Sequence, residues 1–258
     1  MSFVKYEQND AVAVVTLNRP QKLNSLTREM ILSLSDLFES FATATDLRAV
    51  ILTGSGDRAF CVGTDISELA ETNPDESLNV SKRGQALCNL IEQCPVPVIA
   101  AINGLAVGGG CELALACHIR LATSQARFSL PEIKLGIMPG YGGTQRLSRD
   151  IGSSRALEMM LAGHELSADE AEKLGVVNRL VESNSLMTEA RSLTNTISKL
   201  APLAIRACLR SVRQGMELPL DEGLALEAQL FAELFDTADM REGTRAFLEK
   251  RAPVFEGK

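Results

Sequence analysis

The sequence is poor in residues that could build a metal site or a disulfide framework. Among its 258 residues there are two histidines and six cysteines, and no two cysteines show C-x-x-C spacing. The cysteines stand at positions 61, 88, 94, 111, 117 and 208. Because clustered ligands and paired cysteines are both missing, we expect no metal site. We expect reduced thiols in the core of a cytoplasmic protein.

The sequence also lacks an excess of positive charge. Its formal net charge at pH 7 is −7, from 26 basic and 33 acidic residues. Nucleic acids and anionic membrane surfaces attract basic proteins, so this balance argues against either as the main partner. A local basic pocket for a phosphorylated ligand stays compatible with it.

Long apolar runs are scarce as well. Residues 93–111 carry no formal charge, but two prolines open the stretch, Asn103 and four glycines interrupt it, and Glu112 ends it. Such a segment is unsuited to cross a bilayer as a helix, so we expect no membrane span. The N-terminal residues contain no basic region followed by an apolar block, and we therefore expect no signal peptide.

The composition does provide for a packed core. Hydrophobic residues make up 45% of the chain and charged residues 23%, which is typical of a globular protein of one large domain or two modest ones. In roughly the first half, short β-branched runs alternate with apolar residues at helical spacing. This order predicts an α/β architecture. The predicted strands are 12–17, 48–53, 96–102 and 119–122, and the predicted helices are 28–41, 78–92 and a segment ending near 116.

The second half of the sequence has a different character. From about residue 153 it is helix-like apart from a short segment at 175–181. Pro202 and Pro219 stand where helices could begin, because proline is favoured in the first helical turn. The last helix is predicted within residues 236–250, which start with capping-type residues.

The most distinctive segment combines three consecutive glycines with a nearby carboxylate. One residue, Cys111, separates Gly108-Gly109-Gly110 from Glu112, and Glu132 follows 20 residues after Glu112. Glycine lets a ligand approach the backbone, and amides at a helix start lack intrahelical partners. Such a turn could hold a phosphate or the negative oxygen of an enolised carbonyl. A structural turn, with Glu112 complementing the helix dipole, is an equally open interpretation.

Two nucleotide-binding motifs are excluded for this segment. A dinucleotide-binding G-x-G-x-x-G loop that starts at Gly108 requires a small residue where Leu113 stands. A Walker A loop requires Gly-Lys-Ser/Thr after the glycines, and the sequence does not have it. Neither motif explains the glycines.

Two further segments bear glycine in turn-like contexts. Residues 58–66 read R-A-F-C-V-G-T-D-I, and residues 136–146 read G-I-M-P-G-Y-G-G-T-Q-R. Each alone is typical of a structural turn. Together with Glu112 and Glu132, they predict a site built from three glycine-bearing turns and two carboxylates.

These motifs, in this order, resemble those of the enoyl-CoA hydratase/isomerase (crotonase) superfamily over nearly the whole chain. The resemblance implies a crotonase-like spiral of strand-strand-helix units for an α/β core, residues 1–198. It implies that a helical C-terminal region, residues 199–258, serves trimerisation and completes a coenzyme A site. The motifs that carry it are L-N-R-P (17–20), L-N-S-L (23–26), A-F-C-V-G-T-D (59–65), N-G (103–104), G-G-G-C-E-L (108–113), P-E (131–132), P-G-Y-G-G-T-Q-R (139–146) and F-L-E-K-R (247–251).

The resemblance also implies the chemistry of the site. Members of this superfamily bind an acyl-CoA thioester and stabilise its enolate oxygen with two backbone N–H groups, which match Val62 and Gly109. Hydratases have glutamates at both matched acidic positions. Glu112 is then expected mainly to activate water, and Glu132 mainly to exchange a proton with the α-carbon. The N–H of Gly140 matches the position that helps to hold the water.

The expected reaction is the reversible addition of water across the 2,3 double bond of a trans-2-enoyl-CoA. Isomerase relatives often keep one of the two carboxylates, so isomerisation, or hydration of a branched or cyclic acyl-CoA, is the alternative. An alternative from another functional class is a protein of the same fold that binds acyl-CoA without catalysing a reaction. No separate cofactor is expected because coenzyme A is part of the substrate. The implied partners are the thioester and further copies of the chain, as a trimer or a dimer of trimers.

Seven residues are predicted through the resemblance to contact the substrate. Lys22 lies in the N-terminal loop near the usual coenzyme A contact. Lys250 matches a cation that reaches the coenzyme A phosphates, commonly across a subunit boundary. Thr64 is expected to narrow the region near the thioester or the adenine, and Tyr141 to shape the acyl pocket. The full set is Lys22, Thr64, Asp65, Ile66, Tyr141, Phe247 and Lys250.

Overall fold

A computed structural model describes residues 2–258 and shows two β-sheets with helices packed against them. The strands are β1 (Val4–Asn9), β2 (Val12–Leu17), β3 (Ala49–Gly54), β4 (Ala59–Cys61), β5 (Val98–Ile102), β6 (Leu105–Val107), β7 (Ile119–Thr123), β8 (Arg127–Ser129), β9 (Glu165–Ser167) and β10 (Arg179–Val181). The larger sheet has the order β1-β2-β3-β5-β7-β10, and the smaller one has the order β4-β6-β8-β9.

The larger sheet is parallel except for β1, which runs antiparallel to β2. Every residue of β3 and β5 is buried, and Ile51 pairs with Ile99 in the middle of the sheet. Parallel strands are covered on both faces, so near-continuous apolar runs mark them in a sequence. The four predicted strands correspond to β2, β3, β5 and β7. The predicted α/β architecture is confirmed.

The smaller sheet consists of three-residue strands, which the sequence analysis did not find. One of them, β9, lies in the region that was predicted to be helical apart from 175–181, so that prediction was wrong there. Leu166 of β9 pairs with Phe128 of β8, and both side chains are buried. Three residues are too few to show the alternation that identifies a strand.

Eleven helices complete the described part of the chain, and none of them is both long and apolar enough to cross a membrane. They are α1 (Arg28–Phe41), α2 (Ile66–Glu71), α3 (Pro74–Glu92), α4 (Gly109–Ala116), α5 (Gly143–Ile151), α6 (Ser153–Ala162), α7 (Ala168–Leu174), α8 (Leu186–Ser198), α9 (Pro202–Gly215), α10 (Leu220–Leu234) and α11 (Ala238–Glu249). Two short 3-10 helices, Pro20–Lys22 and Glu132–Leu135, lie in loops.

Side-chain caps define where the early helices begin. Helix α1 has the predicted bounds, and its N-cap Thr27 accepts a hydrogen bond from the Met30 amide. Helix α3 begins earlier than predicted, at Pro74, where the Asn73 side chain caps the amide of Glu76. The first turn of α3 is polar and exposed, so it shows no apolar periodicity.

The core lies on both faces of the larger sheet. On one face, Phe38 of α1, Leu87 of α3 and Leu113 of α4 are buried together. On the other face, Leu186 and Ala190 of α8 pack against the strands. This covering by helices is what a buried parallel sheet requires.

The C-terminal helices carry many apolar side chains on their surface. Helix α9 packs against α10. Pro202 is the first residue of α9, and Pro219 directly precedes α10, which confirms both predicted helix starts. Apolar surface of this extent is typical of an interaction face. The large exposed apolar residues of α9 to α11, and of the turns that follow α9 and α10, are Val212, Met216, Leu218, Leu220, Leu224, Phe231, Phe235, Phe247 and Leu248.

All six cysteines are free thiols. Five are buried, as predicted, and burial raises the pKa of the Cys61 thiol to about 12. Cys208 is exposed on α9, so the prediction of a core position is wrong for this residue.

Candidate active site

A cavity of about 800 Å³ contains both predicted catalytic carboxylates and the predicted oxyanion-hole residues. It lies where the parallel strands β4, β6 and β8 end, beside the N-termini of α4 and α5. Ligands commonly bind at the carboxyl ends of parallel strands, because the loops that follow them meet there. The three glycine-bearing turns therefore converge on one cavity. Among its lining residues are Val62, Gly109, Glu112, Glu132, Gly140 and Tyr141.

Two glycines allow the turns after β4 and β6 to touch. A β-carbon on Gly110 would lie 2.0 Å from the carbonyl oxygen of Cys61, and one on Gly63 would lie 2.8 Å from the amide nitrogen of Gly109. Gly63 also has a φ of +86°, which favours glycine. Val62 immediately precedes Gly63, so this close approach brings the backbone at Val62 to the turn that holds Gly109.

Helix α4 begins at Gly109 and carries Glu112 in its first turn. Gly108 has a φ of +54° and turns the chain from β6 into the helix. As the first helical residue, Gly109 has no intrahelical acceptor for its amide, and the helix dipole favours a negative group here. All eight residues of α4 are buried. Burial strengthens the interaction of such an amide with a negative oxygen.

The Glu112 carboxylate is held by the loop that precedes α5. Its Oε1 accepts hydrogen bonds from the backbone amides of Tyr141, at 2.8 Å, and Gly143, at 2.7 Å. The side chain is almost completely buried. Burial, helped by the charge of Glu132, raises the pKa of Glu112 to about 7, although the two amides act in the opposite direction. A carboxyl with this pKa can accept or release a proton near neutral pH.

Glu132 reaches the same cavity from the turn after β8. Its Oε2 is buried and has no hydrogen-bond partner within residues 2–258. Burial raises the pKa of this carboxyl. A β-carbon on Gly108 would lie 2.9 Å from Oε1 of Glu132, so glycine at this position leaves room for the carboxylate. A buried polar atom without a partner is costly, which points to a bound group that pairs with it.

The loop that holds Glu112 is itself fixed by Arg146. The guanidinium donates a hydrogen bond to the carbonyl of Tyr141 at 3.1 Å and forms an ion pair with Glu92 at 2.8 Å. It packs against Gly142, where a β-carbon would lie 2.2 Å from Nη1. Arg146 therefore acts on the site indirectly, by positioning the loop.

Tyr141 fills the space between this loop and α3. Its ring is buried, and its hydroxyl hydrogen-bonds with the Thr64 hydroxyl at 2.9 Å. A β-carbon on Gly84 of α3 would lie 2.0 Å from the ring, and one on Gly109 would lie 3.1 Å from it. Gly84 was not among the site residues predicted from the sequence. The available signal was a glycine inside a helical segment, which often marks close packing.

Comparison with known proteins decides the family. The sequence model described as Enoyl-CoA hydratase/isomerase matches residues 7–258. The chain belongs to the enoyl-CoA hydratase/isomerase family. The resemblance inferred from the motifs is confirmed.

Individual family members match over 95% or more of the chain. The short-chain-enoyl-CoA hydratase of Clostridium acetobutylicum is 42% identical over 245 residues, which cover 95% of this chain and 94% of that protein. The crotonyl-CoA hydratase of Syntrophomonas wolfei is 38% identical over 252 residues, covering 98% and 97%. The crystal structure of an enoyl-CoA hydratase from Bacillus anthracis is 37% identical, with a TM-score of 0.97 and full coverage of both chains. The predicted crotonase fold is confirmed.

Within the family fold, the side chain of Asp65 is engaged by other residues of this chain. Its carboxylate forms an ion pair with Arg19 at 3.0 Å and caps α2 by accepting a hydrogen bond from the Ser67 amide at 3.1 Å. Arg19 is anchored in turn by the carbonyl of Ser25 at 2.7 Å. Asp65 thus fixes the turn after β4, and its contact with coenzyme A stays a prediction.

The other predicted substrate contacts are divided between the cavity and the surface. Thr64, Ile66 and Tyr141 line the cavity, so the structure brings them to the catalytic carboxylates. Lys22 and Lys250 are exposed and are not among the cavity's lining residues. Phe247 is 83% exposed on α11 and is likewise outside the lining.

Proposed function

We propose that the chain is an enoyl-CoA hydratase, a hydro-lyase that reversibly adds water across the 2,3 double bond of a trans-2-enoyl-CoA. The observation that carries this proposal is the pair Glu112 and Glu132. Both carboxyls have a raised pKa and line one cavity beside the amide of Gly109. Relatives named short-chain-enoyl-CoA hydratase and crotonyl-CoA hydratase support it.

The amides of Val62 and Gly109 are proposed to bind the thioester oxygen. When water attacks the β-carbon, the electrons of the double bond move toward the carbonyl and leave negative charge on its oxygen. Fixed backbone dipoles stabilise that charge without reorganisation, and one such donor is worth about 2.7–4 kcal/mol in the transition state. The contact between Gly63 and the Gly109 amide supports this role, because it keeps the two turns together.

The two carboxyls are proposed to move the protons. Glu112, as carboxylate, takes a proton from the water while the water oxygen bonds to the β-carbon. Glu132, as carboxylic acid, gives its proton to the α-carbon while the enolate returns to the thioester. One water has then been added, and transfer of a proton from Glu112 to Glu132 restores the starting state. Each positioned acid or base contributes about 10²–10⁴-fold.

This division of roles needs one proton shared between two carboxyls near neutral pH. Two nearby carboxylates resist simultaneous ionisation, so one of them keeps its proton. The Glu132 charge contributes to the raised pKa of Glu112, which indicates that the groups interact. Two backbone amides act to stabilise the ionised form of Glu112, whereas no residue of the described chain pairs with Oε2 of Glu132.

Gly140 is proposed to position the water through its backbone N–H. Its carbonyl accepts hydrogen bonds from the Ser81 hydroxyl at 2.6 Å and from the Gln85 side chain at 3.1 Å. These contacts from α3 fix the backbone next to the Tyr141 amide that holds Glu112. An amide in this loop is therefore available close to the proposed base.

The exposed C-terminal residues are proposed to act in an assembly. We propose that three chains associate through α9 to α11, that trimers pair into hexamers, and that Phe247 and Lys250 complete a neighbour's coenzyme A site. Lys22 and Asp65 are proposed contacts of coenzyme A within the chain. The apolar surface of α9 to α11 supports the association. Sedimentation at micromolar concentration tests it, and a monomer would contradict it.

The cytoplasmic location and the use of no separate cofactor are proposed from the sequence.

The reaction is tested with crotonyl-CoA. Hydration removes the conjugated double bond, so the absorbance of the enoyl thioester falls and a 3-hydroxyacyl-CoA accumulates. A trans-3-enoyl-CoA serves as the comparison substrate, because isomerisation would raise that absorbance. Hydration of straight-chain enoyl-CoAs supports the proposal. Turnover of the 3-enoyl substrate alone would establish the isomerase, and no turnover at several chain lengths would overturn the proposed hydratase.

A further inference from the structure

A second, smaller cavity of about 280 Å³ adjoins the active-site cavity. Among its lining residues, Leu26 and Ile31 are buried and apolar, and five are charged: Arg28, Glu68, Glu71 and Glu76 are exposed and Arg83 is half-buried. The two cavities share five lining residues and therefore lie side by side. The shared residues, which we call the partition, are Thr64, Leu69, Thr72, Val80 and Tyr141.

Among the residues of the partition, Tyr141 is held in place most firmly. Its ring is only 4% exposed and lies directly against the backbone of Gly84, where no side chain separates it from α3. Its hydroxyl is bonded to Thr64, which follows Gly63 in the turn after β4. The Thr64–Tyr141 bond thus links the turn proposed to bind the thioester oxygen with the loop that holds Glu112.

The direction of the acyl group follows from the proposed function, on which this inference rests. The thioester oxygen lies at the amides of Val62 and Gly109, and the β-carbon lies at Glu112. The Tyr141 amide donates directly to Glu112, and the Tyr141 ring packs beside Gly109. Carbons beyond the β-carbon therefore extend along the wall that carries the Tyr141 side chain.

We propose that the hydrogen-bonded pair Thr64 and Tyr141 is the end wall of the acyl pocket, and that this wall restricts the substrate to short acyl chains. The second cavity is the space that a longer chain would need. Its buried residues Leu26 and Ile31 could contact methylene groups, but the aromatic ring of Tyr141 separates them from the active-site cavity. Tyr141 is thus a specificity-determining residue, distinct from the carboxyls that move protons.

Binding of saturated acyl-CoAs tests this wall without any turnover. The dissociation constants of butyryl-CoA and octanoyl-CoA are measured by calorimetry for the wild type, Tyr141→Ala and Tyr141→Leu. The leucine variant removes the ring but keeps apolar packing against Gly84, so it serves where the alanine variant does not fold. Tyr6→Ala and Tyr6→Leu are matched controls, because Tyr6 is the other tyrosine of the chain and lies on the exposed strand β1.

We expect the wild type to bind butyryl-CoA more tightly than octanoyl-CoA. Removing the Tyr141 ring should improve octanoyl-CoA binding relative to butyryl-CoA by at least about tenfold, the scale on which hydrophobic pockets discriminate methylene groups. The Tyr6 variants should stay within about threefold of the wild-type ratio, as surface substitutions do. The proposal would be overturned if the ratio of the two dissociation constants were unchanged in both Tyr141 variants. It would also be overturned if the wild type bound octanoyl-CoA more tightly than butyryl-CoA.

Crotonyl-CoA turnover by the same preparations separates the two proposals. A shifted binding ratio without turnover would support the end wall and contradict hydration. Turnover of crotonyl-CoA with an unchanged ratio of the two dissociation constants would contradict the end-wall proposal and would still support hydration.

Discussion

Gly143 donates its backbone N–H to Oε1 of Glu112 across 2.7 Å, and a β-carbon on Gly143 would lie 2.9 Å from that same oxygen. A side chain at position 143 would therefore displace the carboxylate that the Gly143 amide holds. Gly143 is the first residue of α5, so its amide has no intrahelical acceptor and is available to Glu112. Two helix N-termini face one cavity: that of α5 holds the proposed base, and that of α4 offers an amide to the substrate oxygen.

Gly143→Ala should lower kcat while preserving the fold. The added methyl group would push the Glu112 side chain out of place, and a displacement of about 1 Å can cost about 10²-fold in rate. Steady-state kinetics with crotonyl-CoA measures the loss. Gly215→Ala is the control, because the nearest atom to its added β-carbon would be 3.8 Å away. Equal kcat in the two variants would contradict a positioning role for Gly143.

The dependence of kcat/KM on pH should be bell-shaped. The mechanism needs the two carboxyls to hold one proton between them, so activity should fall at low pH, where both are protonated. It should fall again as the pH rises above about 7, where Glu112 loses its proton and both carboxyls are ionised. A profile flat from pH 5 to about 9 would exclude the assignment of acid and base to these carboxyls.

Glu112→Gln should stabilise the protein at alkaline pH. The folded-state pKa of Glu112 is raised, so the folded chain holds this proton more tightly, and stability is lost as the pH rises through about 7. The amide cannot ionise, and it should raise the free energy of unfolding by up to about 3 kcal/mol at high pH. Urea unfolding at pH 5 and pH 8 measures this. If the free energy of unfolding differs between variant and wild type by the same amount at both pH values, the ionisation of Glu112 does not destabilise the folded protein.

Arg146→Ala should reduce both stability and kcat. It leaves the Tyr141 carbonyl and Glu92 without their shared partner, which costs about 1–3 kcal/mol for a buried group. Arg149→Ala is the control, since its ion pair with Glu217 is exposed and should contribute less than about 1 kcal/mol. If Arg146→Ala unfolds more easily but retains the wild-type kcat and pH profile, the arginine stabilises the fold without positioning Glu112.

The long elements could be predicted from the sequence because their patterns are local. Helix α1 repeats one period over enough residues to be recognised, and strands β2, β3, β5 and β7 are short, largely apolar runs. The strands of the smaller sheet have three residues each, and their pairing depends on partners distant in the chain. No local pattern contains that information.

The site was predictable to the extent that its residues lie in recognisable motifs. Glu112, Glu132 and the glycine turns stand in segments that resemble family motifs. Gly84 lies outside those motifs, and its importance comes from a ring that reaches it from the loop before α5. The engagement of Asp65 by Arg19 is likewise a tertiary contact, which residue type and spacing do not reveal.

The most direct test of the two-carboxylate mechanism compares the hydration of crotonyl-CoA by the wild type, Glu112→Gln, Glu132→Gln and the double variant. We expect each single substitution to lower kcat by about 10²–10⁴-fold. The double variant should be little slower than the slower single variant, because the two groups act as a unit. Wild-type kcat in both single variants would contradict the mechanism.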